Sequence, residues 1–359
     1  MATGYTRFQE GDVLVPKITP TFEAGRAVLI RGLQGGVGAG TTELHVLRAG
    51  PLIDARFLLY VVNTHSFLKL GEAEMYGVAG QQRVPDDFLR DLPVALLPLD
   101  EQRRIADFLD AETERIDLLL SKRRQMRDLL TLRRERITEQ VLGLEEGHNT
   151  PLIPLKYLVR EVSVGIVITP AKWYVDEGGV PALRGLNVQP GRILTQNLVR
   201  ISDRGHGEHR KSKLNAGDVV VVRTGQAGAA AVIPQELDGA NCIDLIILRT
   251  GKWIDPQYAT YVLNSDYAKR QVGLNSVGSI QAHFNVGAMK QLPIPSLPLG
   301  EQVEKVAILN REIGSMDELA ARLAAQDRLL TERRRALITA AVTGQFDVTT
   351  ARPTYNRGL

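Results

Sequence analysis

The chain has 359 residues, a hydrophobic content of 44% and a formal net charge of +3. These values are typical of two or three globular domains with ordinary cores, and they are unlike those of a disordered or fibrous protein. No stretch approaches about 18 consecutive apolar residues, and residues 1–9 lack the apolar run of a signal peptide, so we expect a soluble, cytoplasmic protein.

Residues 1–98 are predicted to form a first domain of mixed α+β structure. Short apolar runs bounded by glycine, proline or asparagine are typical of strands, and these runs are residues 13–18, 27–30 and 44–48. A helix is predicted over residues 55–70. A polar loop led by glycine follows at residues 77–85.

A glycine-rich segment of this domain is similar in shape to a phosphate-binding loop. Residues 35–42 read Gly-Gly-Val-Gly-Ala-Gly-Thr-Thr, but the lysine that would hold the β- and γ-phosphates is absent and Thr41 stands in its place. We therefore predict a flexible loop between Ile30 and Leu44. A nucleotide-binding enzyme stays a remote alternative.

Residues 99–143 are predicted to form a first long helix, followed by a linker at residues 144–150. Apolar residues recur at alternating spacings of three and four, as in a heptad seam. They are Ile105, Leu109, Ile116, Leu119, Met126, Leu130 and Ile137. The interruptions of this seam are Glu112, Arg123, Arg133 and Gln140.

Residues 151–298 are predicted to form a second domain of mixed α+β structure. Its predicted strands include residues 219–223, 229–233 and 243–249. A helix over residues 256–272 has Asp255 as its N-cap and Pro256 at its first position. The lone Cys242 excludes an intrachain disulfide and is predicted to be a buried thiol. Asp244 is predicted to be a paired structural carboxylate, with an active-site acid as the less favoured alternative.

Residues 299–344 are predicted to form a second long helix, with a C-terminal tail at residues 345–359. Its seam is interrupted only by Asp327 and Arg334. The seam residues are Val306, Leu309, Ile313, Met316, Ala320, Leu323, Leu330, Leu337 and Ala341. A helix with one exposed apolar stripe is not stable alone in water, so we expect the two long helices to pack on each other as an antiparallel coiled coil. The alternative is two unrelated amphipathic helices, each lying on its own domain.

The two halves of the chain repeat the same landmarks in the same order. Gly11-Asp12-Val13 returns as Gly217-Asp218-Val219, and the run at residues 98–102 returns at residues 298–302. A period this long indicates two homologous domains separated by the two long helices, an α+β architecture. Residues 151–216 have no counterpart before Gly11, so we expect the first domain to be N-terminally incomplete.

Polar, glycine-rich loops of both domains offer side chains that read DNA bases. Arginine pairs with guanine, glutamine and asparagine pair with adenine, and serine and threonine bind bases or phosphates. The candidates of the second domain are Arg184, Asn187, Arg223, Thr224, Gln226, Ser279, Gln281, His283 and Asn285. Those of the first domain are Lys17, Thr19, Gln81, Gln82 and Arg83. The alternative is that these residues are ordinary solvated loop tips.

The repeated motifs resemble those of the specificity subunits of type I restriction-modification systems. The resemblance rests on Leu292-Pro293-Ile294-Pro295, on Pro298-Leu299 with Glu301-Gln302, and on a long helix that ends in Ala341-Val342-Thr343-Gly344. The first half repeats this pattern with Leu92-Pro93, with residues 98–102 and with Gly143, so the resemblance covers nearly the whole chain.

The resemblance implies two target-recognition domains that each read one half of a bipartite double-stranded DNA site. It also implies a scaffold without catalytic residues, cofactor or metal, to which two methyltransferase subunits and, through the complex, the restriction subunits bind. Glu101, Gln102, Glu301 and Gln302 recur at the start of both long helices and are the candidate partner-binding residues. The alternative is a truncated or orphan specificity protein that reads one half-site.

Overall fold

The computed structural model describes residues 4–350 except Ala79, Glu146, His148 and residues 275–285. It divides into two compact units. The first unit comprises Met1–Met126 and Ala321–Leu359, and the second unit comprises Arg127–Ala320. Each unit therefore contains one α+β domain and part of each long helix. Among the described residues, no helix is long and apolar enough to cross a membrane.

The domain of the first unit is built from short strands and three helices. In chain order these are β1 (Thr6–Gln9), β2 (Val13–Pro16), β3 (Val28–Leu29), β4 (Val37–Gly40), β5 (Leu44–Leu47), α1 (Ala55–Val61), α2 (His65–Ala73) and α3 (Asp86–Arg90). Strand β2 lies between β3 and β5 in an antiparallel sheet, with Val13 opposite both Leu29 and Leu47. The core beneath this sheet includes Phe22 and Phe67.

The glycine-rich segment of this domain is a strand, not the flexible loop that we expected. Residues Val37–Gly40 form β4, which pairs antiparallel with β1. The ring of Phe8 lies against Gly38 so closely that a Cβ there would be 2.4 Å from a ring carbon. A larger residue at position 38 would therefore require the Phe8 ring to shift. The sequence signal was missed because glycine is normally depleted in strands.

The domain of the second unit has a larger set of strands. In chain order the elements are β6 (Leu152–Pro154), β7 (Val159–Val164), β8 (Tyr174–Val175), β9 (Val180–Leu183), β10 (Val188–Gln189), β11 (Arg192–Ile193), β12 (Val199–Ile201), α5 (Asp203–Glu208), β13 (Val219–Val222), β14 (Ala230–Val232), β15 (Asn241–Cys242), β16 (Leu245–Thr250), α6 (Pro256–Asn264), α7 (Asp266–Leu274), α8 (Val286–Gln291) and β17 (Pro293–Pro295). One sheet has the order β14-β13-β16-β7 and another has the order β15-β9-β12-β8. The strands β10 and β11 form a hairpin, and β17 pairs with β6.

Each domain has two consecutive helices where the sequence predicted one. In the second domain α6 ends at Asn264 because Ser265 has extended backbone and its hydroxyl caps α7 by accepting from the N–H of Ala268. In the first domain Thr64 caps α2 in the same way, by accepting from the N–H of Phe67. A serine or threonine cap leaves the spacing of the apolar residues unchanged. This spacing therefore could not reveal the break between the two helices. The predicted cap at Asp255 is confirmed, since its side chain accepts from the N–H of Tyr258.

The two long helices pack antiparallel within each unit. They are α4 (Leu99–Leu142) and α9 (Leu299–Val342), each of 44 residues. In the first unit Asp117 pairs with Arg334 at 3.2 Å and Arg123 with Asp327 at 3.8 Å, so positions on α9 fall as those on α4 rise. In the second unit Arg134 pairs with Asp317 at 2.7 Å, and Ile137 and Val141 pack in a core that includes Val306, Leu309 and Ile313. The expected helix pairing is confirmed.

The seam of α4 differs from the predicted one at alternate positions. Leu119 and Met126 are 40% and 47% exposed, whereas Leu120 and Arg127, one residue later, are half-buried. Arg134 and Val141 likewise replace the expected Arg133 and Gln140. The prediction failed because polar residues, Arg123, Arg127 and Arg134, occupy part of the true seam. Arg123 and Arg134 point to acidic residues of α9, and a search for apolar spacing does not register such ion pairs.

Candidate nucleic-acid interface

Several strands of the second domain end at one place. The parallel pair β9 and β15 ends there, β7 and β13 also end there, and β16 begins there. The N–H of Ile243 donates to the carbonyl of Leu183 at 2.8 Å, and the N–H of Asp244 donates to the carbonyl of Ile166 at 3.0 Å. The loops after β7, β9 and β13 therefore meet. We call residues 165–169, 184–187, 223–228 and Asp244 the strand-end edge.

Asp244 organises this strand-end edge. One carboxylate oxygen accepts from the Arg223 guanidinium at 2.6 Å and the other accepts from the Thr224 hydroxyl at 3.1 Å. The backbone of Asp244 has φ +50°, a left-handed conformation that is uncommon for residues other than glycine and is tolerated best by aspartate and asparagine. The prediction that Asp244 is a paired carboxylate is confirmed. The pairing fixes the direction of two candidate DNA-binding side chains.

Asn187 holds the neighbouring loop from inside. Its side chain is fully buried, accepts from the N–H of Arg184 at 3.0 Å, and donates to the carbonyls of Leu194 and Gln196. Its polar atoms are therefore used within the domain, and it shapes the loop that carries Arg184. That guanidinium donates to the carbonyl of Asn197 at 3.3 Å.

The loop at Arg184 lies against the turn that follows β13. A Cβ built on Gly185 would lie 3.3 Å from Val222 and 3.7 Å from the carbonyl oxygen of Thr224. Gln226 is exposed in that turn, which the N–H of Gly228 closes by donating to the carbonyl of Val222 at 2.9 Å. The structure thus brings Arg184, Arg223, Thr224 and Gln226 together. Ser279, Gln281, His283 and Asn285 lie outside the described residues.

The candidates of the first domain lie on two adjacent extended segments. Ile18 and Arg83 form an antiparallel bridge, and the N–H of Gln82 donates to the hydroxyl of Thr19 at 3.3 Å. Lys17 pairs with Asp86 at 3.0 Å. Arg83 makes a two-pronged contact with Glu43, and this hydrogen bonding holds the pKa of the Glu43 carboxyl below its ordinary value. Gln81 is exposed.

The glutamines proposed to bind partners are buried and serve as internal clamps. Gln102 accepts from the N–H of Asp54 at 2.8 Å and donates to the carbonyls of Leu52 and Leu97. Gln302 makes the equivalent three bonds, accepting from Asp255 at 2.9 Å and donating to Trp253 and Leu297. This clamp explains why the glutamine recurs. Their neighbours differ in exposure, since Glu101 is half-buried and Glu301 is exposed.

Sequence reasoning missed an apolar group at the strand-end edge. Val167 and Ile168, in the loop after β7, are 48% and 80% exposed, and Leu186, beside Arg184, is 60% exposed. The sequence carried no sign of this, because no local pattern distinguishes an exposed apolar residue in a loop from a buried one. The buried thiol of Cys242, whose pKa burial raises, was predicted correctly.

Comparison with known proteins places these features in context. No family model matches the chain. It is 48% identical over 103 residues to the specificity subunit of the type I restriction enzyme EcoAI of Escherichia coli, which is 28% of this chain and 18% of that protein. It is 28% identical over 187 residues to the StySPI specificity subunit of Salmonella potsdam, or 48% of this chain and 37% of that protein. The matched segments thus span well under half the length of these relatives.

Two solved structures share the fold over almost the whole chain. A chain from a structure concerned with complex assembly and conformational transition of the type I R-M system matches with a TM-score of 0.78 and 20% identity, covering 96% of this chain and 85% of that one. The HsdS subunit of Thermoanaerobacter tengcongensis matches with a TM-score of 0.50 and 19% identity, covering 96% of this chain and 84% of that one. At these identities the likeness concerns the fold alone.

Proposed function

Since the chain belongs to the specificity subunits of type I restriction enzymes, we propose that it binds double-stranded DNA at a bipartite site and serves as a scaffold for partner subunits. The domains at residues 1–98 and 151–298 each read one part of the site. The chain itself is non-catalytic and needs no cofactor, because methyl transfer and DNA cleavage belong to its partners. We place this work in the cytoplasm.

The observation that carries the proposal is the pairing of Arg223 and Thr224 with Asp244 at the strand-end edge. A side chain that is already held in place loses less conformational entropy on binding than a free one, so its contact with a base is stronger. Arg184 and Gln226 lie in the same edge and widen the chemistry available, since arginine suits guanine and glutamine suits adenine. A bidentate contact of this kind discriminates between bases by about 1–3 kcal/mol.

In the first domain, the bridged segments that carry Lys17, Thr19 and residues 81–83 are the corresponding candidate surface. Lys17 and Arg83 keep acidic partners, Asp86 and Glu43, at the surface. The single contact between Lys17 and the exposed Asp86 is worth little to folding, about 0–1 kcal/mol, so exchanging that carboxylate for a DNA phosphate costs little. We assign these residues to phosphate positioning as well as to base contacts.

Partner subunits bind, in this proposal, at the long helices. Glu101 and Glu301 lie in the first turns of α4 and α9, beside the two buried glutamines, and offer charge at equivalent places. The helix α4 also exposes Leu129 and Leu132, which are three positions apart and so share one face. Exposed leucines on a charged helix favour a protein partner. We propose two methyltransferase subunits per chain, with the restriction subunits joining through the complex.

The test is to co-express the chain with the methyltransferase subunits of its system and to select sequences from a random DNA duplex library with the purified complex. We expect a bipartite sequence with an unspecified gap, and a mass that corresponds to two methyltransferase subunits per chain. Selection of a single continuous half would show that only one domain reads DNA. A complex that forms but selects no sequence would contradict DNA reading, and failure to form any complex would contradict the scaffold.

A further inference from the structure

The loop after β7 presents an isoleucine to solvent at the strand-end edge. Ile168 is 80% exposed, which exceeds every other large apolar side chain in the part of the chain that the structure describes. Val167 beside it is 48% exposed. Single exposed apolar residues are common on protein surfaces, so exposure alone indicates nothing. The residues around Ile168 make its exposure informative.

Hydrogen bonds fix the base of this loop to the segment that carries Asp244. The N–H of Gly165 donates to the carbonyl of Leu245 at 2.8 Å, and the N–H of Ile166 donates to the carbonyl of Cys242 at 2.9 Å. The carbonyl of Ile166 in turn accepts from the N–H of Asp244. Because Asp244 also binds Arg223 and Thr224, the loop and these two side chains share one support.

Two further features direct the loop. Gly165 lies so close to the strand beside it that a Cβ would be 2.6 Å from the carbonyl oxygen of Cys242, so no other residue fits without a shift. Thr169 has φ +41°, a left-handed conformation, and Pro170 follows it at the start of a short 3-10 helix. The chain therefore turns back directly after Ile168. This residue stands at the tip of a braced loop.

We propose that Ile168, with Val167, contacts the 5-methyl group of a thymine in the DNA that the strand-end edge binds. An isoleucine side chain has no hydrogen-bonding group. In the major groove, the 5-methyl group of thymine is the apolar group that base edges offer to such a side chain. Ile168 would thus recognise a thymine, while Arg223 and Thr224 read other bases of the same half-site. This inference rests on the proposed function.

The experiment uses the complex of the full chain with its methyltransferase subunits and a duplex of the sequence that it selects. Each thymine of the half-site that depends on Arg223 is replaced in turn by uracil, which lacks only the methyl group. We expect one replacement to weaken binding about fourfold, the factor that corresponds to burying one carbon, about 0.8 kcal/mol. The Ile168→Ser variant should bind the thymine duplex about fourfold more weakly and should not distinguish thymine from uracil.

The matched control is Leu152→Ser, which changes another exposed apolar residue of the same domain, 48% exposed in β6. It should keep the preference for thymine. Both variants should unfold at the temperature of the unaltered chain, because neither residue is part of a core. A half-site without thymine, or one in which no uracil replacement matters, overturns the proposal.

Other outcomes separate the remaining explanations. Equal loss of affinity on thymine and uracil duplexes in Ile168→Ser would show that the residue acts as a wedge between bases. Weaker binding of a methyltransferase subunit with unchanged base preference would show that the tip is a protein contact. Either result overturns the thymine contact and leaves DNA reading intact, whereas a complex that selects no sequence removes the proposed function itself.

Discussion

The two domains place an arginine on an equivalent buried aspartate, but in different surroundings. Asp12 precedes β2 and pairs with Arg48 at 2.8 Å, just as Asp218 precedes β13 and pairs with Arg249 at 2.8 Å. The side chain of Arg48 is 59% exposed, whereas that of Arg249 is 9% exposed. An equivalent pair in an equivalent sheet thus has a very different dielectric environment.

The difference in exposure of the two arginines comes from segments of the second domain that cover the pair of Asp218 and Arg249. Arg249 also lies 3.4 Å from Glu161 on β7, and it donates to the carbonyls of Lys211 and Lys213. In the first domain β5 ends at the residue before Arg48 and, among the described strands, pairs with β2 alone. The repeat thus places an equivalent ion pair in both domains, while the contribution of each pair to stability depends on the segments that cover it.

The largest expected effect is the loss of Arg249. The Arg249→Ala variant leaves the buried carboxylate of Asp218 without its cation, which costs about 3–5 kcal/mol. The matched variant Arg48→Ala should cost about 1 kcal/mol, because water reaches the exposed site. Urea-dependent hydrogen exchange, localised to each domain by mass spectrometry, measures both. Equal losses in the two domains would contradict the comparison.

The glutamine clamps should behave alike in both domains. Gln102→Ala and Gln302→Ala each remove three hydrogen bonds to backbone groups that are shielded from water, and each should destabilise its own domain by about 2 kcal/mol. The same exchange measurement checks this. A loss in one domain several times that in the other would show that the clamps are not equivalent.

A smaller effect is expected at the loop after β7. Gly165→Ala places a methyl group against the carbonyl of Cys242 and should cost about 1–2 kcal/mol. Gly251→Ala is the control, since the nearest atom to its new Cβ would be 3.8 Å away. Thermal unfolding compares the two. A neutral Gly165→Ala variant would show that the loop is not braced as described.

The smallest expected effect is on the stability of the first domain at low pH. Hydrogen bonding from Arg48 holds the pKa of Asp12 below its ordinary value. This carboxylate therefore stabilises the folded first domain above about pH 4, and the contribution is lost as pH falls through the folded-state pKa. The Asp12→Asn variant should be less stable at pH 7, and its stability should fall less steeply in acid. The slopes of unfolding free energy against pH test this, and parallel slopes would argue against it.

Local patterns in the sequence predicted the main strands and helices of both domains well. The strands around β2 and β13, the cap at Asp255 and the antiparallel helices all follow from spacing between neighbours. The errors have local causes as well. The glycine-rich segment pairs as a strand with β1, and arginines occupy part of the α4 seam, which differs from the predicted one at alternate positions.

The strand-end edge could not be predicted, because it joins segments that are far apart in the chain. The parallel pairing of β9 with β15 brings the loop at Arg184 close to the segment of Asp244, and a bridge between Ile166 and Ile243 brings the loop after β7 to the same place. Such long-range pairing leaves no local pattern. The sequence placed the candidate residues in separate loops, and only the structure shows that these loops meet.

We propose above all that Arg223, held by Asp244, reads DNA in one half of a bipartite site. The direct measurement is selection from a random duplex library by the complex that carries Arg223→Ala, compared with Arg210→Ala, an exposed cation of the same domain. We expect Arg223→Ala to relax the selected sequence in one half only, and discrimination there to fall by about 1–3 kcal/mol. Arg210→Ala should weaken all sequences alike or leave them unchanged. If the Arg223→Ala complex selects the original sequence in both halves with full discrimination, Arg223 does not read DNA.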